Sequence, residues 1–337
     1  MKRALISSLV VGVLSISSLM VPAGAVDDVN FALPKVGTDH VEAAKVRVVT
    51  ASRVNKLPGN IQPSLQALMS STGYRQIGYV AGLMCSPYSK ASLVTNPEPC
   101  WLGDSSATRT LVLYGDSHAG SWIPAMDLYA KSIKAKLAVF WFPGCPSPLV
   151  VASTNGSFYS SRAADCNTWN SKITSAIAGV NPFATVMASG YGTDHSFSAT
   201  EYQQWLTGWT VLGRQLRSKA PRSAFYMLST TPYLRQSAPQ CLANQPNAIG
   251  NCGYSSAAFA QSGYTFSLGD NRLRDIASSR AVGATLVDVV PLFCANLFCP
   301  AVIGNTVVYG DTHHITLQIN LDLAPALGQL LNTAGLK

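Results

Sequence analysis

The chain has 337 residues, 12% of them charged and 47% hydrophobic, with a formal net charge of +8. That length and apolar content support a sizeable core and exclude a disordered chain. The basic excess is mild, and no basic cluster is interleaved with aromatics. This excludes a nucleic-acid reader and suits an anionic cell envelope or acidic glycans.

Residues 1–25 read as a signal peptide. Lys2 and Arg3 precede an apolar, serine-broken stretch from Ala4 to Val21, and Ala23-Gly24-Ala25 supplies a small-residue cleavage site. The competing reading is a retained membrane anchor. No other stretch approaches the ~18 continuous apolar residues of a membrane helix. The expected location is therefore secreted or envelope-associated.

Residues 26–108 read as an N-terminal extension packed on the main domain. Val41 to Val54 fits either a strand or a basic helix, and Leu57-Pro58 breaks it. Pro63 to Met69 reads as a short helix with the proline at its start. His40 has no assigned role.

Residues 109–337 read as the main domain. Five apolar, β-rich runs recur there: Thr110–Tyr114, Leu137–Phe142, Ala184–Ala188, Ala224–Leu228 and Ala284–Val289. Helical patterns separate them. Trp122, Met126 and Tyr129 share one spacing, and Trp169, Ile173 and Ile177 another. Ser198 and Glu201 form a candidate capping box before Trp205, Trp209 and Leu212. Tryptophans at such spacing read as core. The last helix spans Thr316 to Leu331, and Pro325 requires that it be kinked there or begin nearby. Alternating strands and helices predict a parallel sheet covered on both faces.

Eight cysteines in an exported chain predict four disulfides. Eight cysteines allow 105 pairings and the sequence does not choose among them; the neighbour pairing is Cys85–Cys100, Cys145–Cys166, Cys241–Cys252 and Cys294–Cys299. No cysteine spacing matches a zinc site, and no metal or cofactor is expected. The stretch from Pro232 to Gly253 reads as a disulfide-pinned insertion.

Two motifs carry chemistry. Gly115-Asp116-Ser117-His118 places a serine after the first regular strand and before a helix, where free backbone amides favour developing negative charge. Asp311-Thr312-His313-His314 places a carboxylate and an imidazole together before the last helix. A serine hydroxyl needs a base, and that base needs an orienting partner. Asp194 with His195 is a rival pair. Asp116 reads as holding the strand-to-helix turn, His118 as lining the site or packing the turn, and His313 as a neighbour of the base.

These motifs resemble those of the SGNH (GDSL-like) hydrolase family. More narrowly, Gly115-Asp116-Ser117-His118-Ala119 with Trp122 and Pro124-Ala125 resembles the SGNH domains fused behind acyltransferase family three membrane proteins, which O-acylate cell-surface glycans. The likeness extends to Leu57-Pro58, Pro63-Ser64-Leu65, Cys100, Cys145-Pro146, Cys294, Cys299-Pro300 and Tyr309. It implies a disulfide-stabilised, three-layer α/β/α flavodoxin-like sandwich. It also implies Ser117 as nucleophile, His314 as base and Asp311 as orienter. The implied oxyanion hole uses the Ser117 amide, Gly144 after the second strand, and a group after the third. The broader family has an asparagine at that last position, where this chain offers Ser189 or the Gly190 amide.

The resulting expectation is an O-acyl esterase or O-acyltransferase acting on envelope or extracellular glycans through an acyl-enzyme on Ser117. Its substrate would be an acylated glycan or small acyl ester, and a separate membrane acyltransferase is a possible partner. The alternative is a non-catalytic glycan-binding or accessory module on the same scaffold.

Overall fold

The computed structural model describes residues 39–70, 86–87, 89–155, 158–190, 197–255 and 268–337. The expected leader, Cys85 and the Asp194/His195 pair lie outside the described residues.

Six strands form the main sheet: β1 (Cys100–Gly103), β2 (Thr110–Gly115), β3 (Lys136–Trp141), β4 (Ala184–Ala188), β5 (Ala224–Leu228) and β6 (Thr285–Val287). Their spatial order is β1-β3-β2-β4-β5-β6. The five runs expected from the sequence are the five parallel strands. Strand β1 was not anticipated. It adds antiparallel to β3 at the edge, with Cys100 opposite Val139 and Gly103 opposite Lys136.

Strands β2 and β3 are almost wholly buried, as continuous apolar runs require when both faces are covered. Successive side chains alternate between two cores. Leu111, Leu113, Val139 and Val186 join one. Val112, Tyr114, Phe140 and Met187 join the other. Burying each such side chain contributes about 1.5–3 kcal/mol.

The helices that position the site and cores are α1 (His40–Ala51), α2 (Leu65–Met69), α3 (Ser117–Ser132), α4 (Ala163–Gly179), α5 (Ala199–Lys219), α6 (Leu268–Val282) and α7 (Leu317–Thr333). Helices α1, α3 and α7 pack together on the first core, and α4, α5 and α6 cover the second. The segment read as strand or helix near Val41 is thus helical. Asp39 caps it by accepting the Glu42 amide at 2.9 Å. Pro63 does not open α2: Ser64 is its cap, and Pro63 stands before the cap. The capping box of α5 is present, with both Ser198 and Glu201 bonds made. Trp122, Trp169, Trp205 and Trp209 are all buried core residues.

Helix α7 runs through Pro325 from Leu317, with Thr316 as its cap. Helix α3 likewise contains Pro124, and the next amide, of Ala125, is satisfied by Asn320 Oδ1 of α7 at 2.7 Å. Three of the expected disulfides are formed: Cys145–Cys166, Cys241–Cys252 and Cys294–Cys299.

Candidate active site

Strand β2 ends at Gly115, where φ is +154°. A Cβ at this position would lie 1.9 Å from the Ala188 carbonyl oxygen, so only glycine lets β2 and β4 close up here. Asp116 then caps α3, its carboxylate accepting the His118 amide at 2.8 Å. Ser117 is the first residue of that helix. It therefore sits at the carboxyl end of the sheet, where β2 is flanked by strands whose connections leave in opposite directions. Ligands bind at this point in open α/β sheets.

The second motif forms a tight loop closed by a bridge between Tyr309 and Ile315. Asp311 Oδ1 accepts the amides of His313 and His314, each at 2.8 Å. Its Oδ2 lies 2.6 Å from His314 Nδ1. With the proton on Nδ1, His314 Nε2 is left to accept the Ser117 hydroxyl at 2.8 Å. Burial pushes the Asp311 carboxyl up. Hydrogen bonding to His314 and the charge of the neighbouring imidazoles outweigh that push and hold it below the usual carboxylate range. The stretch read as an insertion braces this loop. The Leu234 amide donates to the Thr312 carbonyl at 2.7 Å, and that of Ala238 to the Asp311 carbonyl at 3.1 Å.

His118 combines both roles considered for it, since it is buried and lines the cavity over Ser117. Its Nδ1 lies 3.0 Å from Thr231 Oγ1. Its ring stacks on His313, with centroids 5.4 Å apart, and His313 stacks in turn on Tyr233 at 4.2 Å. Burial lowers the His118 pKa to about 3 and the His313 pKa to about 2, with the charge of His314 adding to both. Both rings are neutral near pH 7.

Asp116 does more than hold the turn. Ser189 Oγ donates to its carboxylate at 2.8 Å, and the Gly190 amide at 3.0 Å. These two groups, expected to face the reacting centre, are bonded to Asp116 in this geometry. Gly144 does border the cavity, with φ at +67°.

The cavity has a volume of about 230 Å³. Sequence reasoning missed four of its neighbours. Tyr159, Ser160 and Ser161 reach it from the loop closed by Cys145–Cys166, and Tyr233 from the segment after β5. Behind it, the Thr230 hydroxyl lies 3.1 Å from the Ser189 carbonyl and 2.9 Å from Asp275 Oδ1. Asp275 is buried on α6, and burial pushes its pKa up to about 7 against the bonds from Thr230. No periodicity or motif marks these side chains. Only the Thr230-Thr231 pair at a strand's carboxyl end was a usable signal.

A family model described as "SGNH domain (fused to AT3 domains)" matches residues 84–329. The chain belongs to this SGNH family. Among solved structures, the SGNH fold of this chain is similar to a lipopolysaccharide acetyltransferase periplasmic domain from Salmonella ser. Paratyphi A. That match has 12% identity and a TM-score of 0.55, covering 81% of this chain and 98% of the other. A carbohydrate acetylesterase from Sinorhizobium meliloti matches at 12% identity and a TM-score of 0.40, over 67% of this chain and 99% of that one. No curated protein matches the sequence. No helix among the described residues is long and apolar enough to cross a membrane.

Proposed function

We propose that this SGNH protein is an exported, serine-dependent O-acyl esterase or O-acyltransferase acting on cell-envelope or extracellular glycans. The hydrogen-bonded line from Asp311 through His314 to Ser117, at 2.6 and 2.8 Å, carries this reading. Ser117 Oγ attacks the acyl carbonyl carbon while His314 Nε2 takes the hydroxyl proton. The C–O bond to the leaving alcohol breaks, and that alcohol departs with the proton from His314. Water or a sugar hydroxyl then gives its proton to His314 and attacks the acyl-enzyme, and Ser117 recovers its proton.

The developing oxyanion is met by the amides of Ser117 and Gly144, which find no acceptor among the described residues. Each such donor contributes roughly 3–4 kcal/mol to the transition state. The leader expected from the sequence and the three described disulfides support action outside the cytoplasm. If the protein transfers acyl groups, a separate membrane acyltransferase is a natural donor.

The test is turnover of a chromogenic acetyl ester, with and without a glycan acceptor, beside Ser117→Ala. A loss of about a thousandfold or more in the variant is expected. Acceptor-dependent turnover identifies a transferase. No turnover in either format, with glycan binding unchanged in the variant, returns the protein to the accessory-module reading.

A further inference from the structure

Three imidazoles meet over the cavity. The possible ligand atoms of His118, His313 and His314 all lie within 4.8 Å of one another. In each ring the same nitrogen is already engaged by a side-chain oxygen. His118 Nδ1 pairs with Thr231 Oγ1 at 3.0 Å, His313 Nδ1 with Thr312 Oγ1 at 2.8 Å, and His314 Nδ1 with Asp311 Oδ2 at 2.6 Å. Such partners orient the ring, as they do around histidines that bind metals, and the Asp311 carboxylate also holds the His314 proton on Nδ1. The nitrogen left over in all three is Nε2. No hydrogen bond to Nε2 of His118 or His313 is found among the described residues, and that of His314 serves Ser117. Gly190 packs closely against the His118 ring, where a Cβ would fall 1.9 Å from Nε2, and so helps fix its position.

We propose that these three Nε2 atoms form an inhibitory site for a borderline divalent transition ion such as Zn²⁺. Three neutral imidazoles suit such an ion, and Ser117 Oγ or water completes a tetrahedron. Zn–N bonds of about 2.0–2.1 Å require the nitrogens to draw together from their present spacing. His313 and His314 are the more exposed of the three, with side chains 21% and 12% accessible. Coordination takes the His314 lone pair that would otherwise receive the Ser117 proton. The ion therefore blocks proton transfer without any covalent or redox step. The inhibitory part of this inference rests on the esterase or transferase reading, whereas the binding part does not.

The experiment uses chelator-stripped protein titrated with Co²⁺, followed by displacement with Zn²⁺. One ion per chain is expected, with the visible absorption bands of tetrahedral cobalt, lost on adding Zn²⁺. Saturating Zn²⁺ is expected to suppress ester turnover at least tenfold, and chelator to restore it. Thr231→Val, which keeps every ligand, should weaken binding by about tenfold, and His118→Gln or His313→Gln by more. Absence of stoichiometric binding, or binding unchanged in both histidine variants, overturns the site. Binding with no effect on turnover overturns its inhibitory role. A protein that hydrolyses nothing even after stripping fails the enzyme reading instead, and the cobalt spectrum still reports on the site.

Discussion

The Gly190 amide donates to the Asp116 carboxylate at 3.0 Å, joining residues that leave the ends of two neighbouring strands. The same carboxylate receives the Ser189 hydroxyl and the His118 amide. Asp116 is thus a buried brace that fixes the first turn of α3, and Ser117 with it. Asp116→Asn exchanges a charged acceptor for a neutral one and presents an NH₂ group to some of these donors. Hydrogen bonds to charged groups are worth about 1.5–3 kcal/mol each, so a stability loss of roughly 2–4 kcal/mol is expected in denaturant titrations. The loss in kcat should exceed any change in KM.

Gly190→Ala tests the space beside the imidazole stack. The new Cβ would fall 1.9 Å from His118 Cδ2 and Nε2. Either His118 leaves Thr231 or the β4 exit moves away from Asp116. Overpacking of this kind costs about 1–3 kcal/mol. A lowered melting temperature together with reduced turnover is the expected outcome.

Asp311→Asn keeps the size of the residue and removes the charge beside His314. An asparagine can present its NH₂ to Nδ1, which favours the tautomer with the proton on Nε2, the wrong one for accepting from Ser117. Turnover should fall by about a thousandfold or more while the fold persists. Steady-state kinetics beside circular dichroism would check both halves.

Asp275 predicts a pH dependence of stability. Its pKa is raised by burial from 3.8 to about 7 in the folded protein. Its contribution is therefore complete below about pH 4 and is lost as pH rises through 7. Within that window the loss is at most about 1.4 kcal/mol per pH unit. Asp275→Asn cannot ionise. The stability difference between the two proteins, followed by urea unfolding from about pH 4 to 8, should shift in favour of the variant as pH rises.

The Cys145–Cys166 crosslink closes a loop with a sequence separation of 21 and carries Tyr159 and Ser160 to the cavity wall. Chain entropy alone gives such a crosslink about 3 kcal/mol. A double Cys→Ser variant should lose stability on that scale. Its KM should rise more for a bulky glycan ester than for a small chromogenic one, because the loop shapes the rim and not the nucleophile.

The sequence made the parallel strands legible because each is a continuous apolar run between helical patterns. It made Ser117, Asp311 and His314 legible because their residue types sit at a strand end and a tight loop. Strand β1 was hidden: it has only four residues, and Trp101 and Gly103 give it no clear alternation. Gly190 does line the cavity, but its amide, like the Ser189 hydroxyl, is held by Asp116, and nothing along the chain shows which carboxylate those groups find across the sheet. The three-imidazole cluster escaped for a similar reason. His118 and His313 are far apart in sequence, and only the fold stacks them. Asp275 looks like any helix-surface acid until burial is known.

Thr230 and Thr231 stand side by side at the exit of β5, yet their hydroxyls serve different neighbours. Thr230 meets the buried carboxyl of Asp275, and Thr231 meets the imidazole of His118. Adjacent positions in an extended chain face opposite ways. Inserting or deleting one residue here would offer each partner the wrong face, even if every strand still paired. Homologues should therefore vary in side-chain identity at this point before they vary in loop length. A length change that survived would need a compensating one on α6 or in the turn after β2.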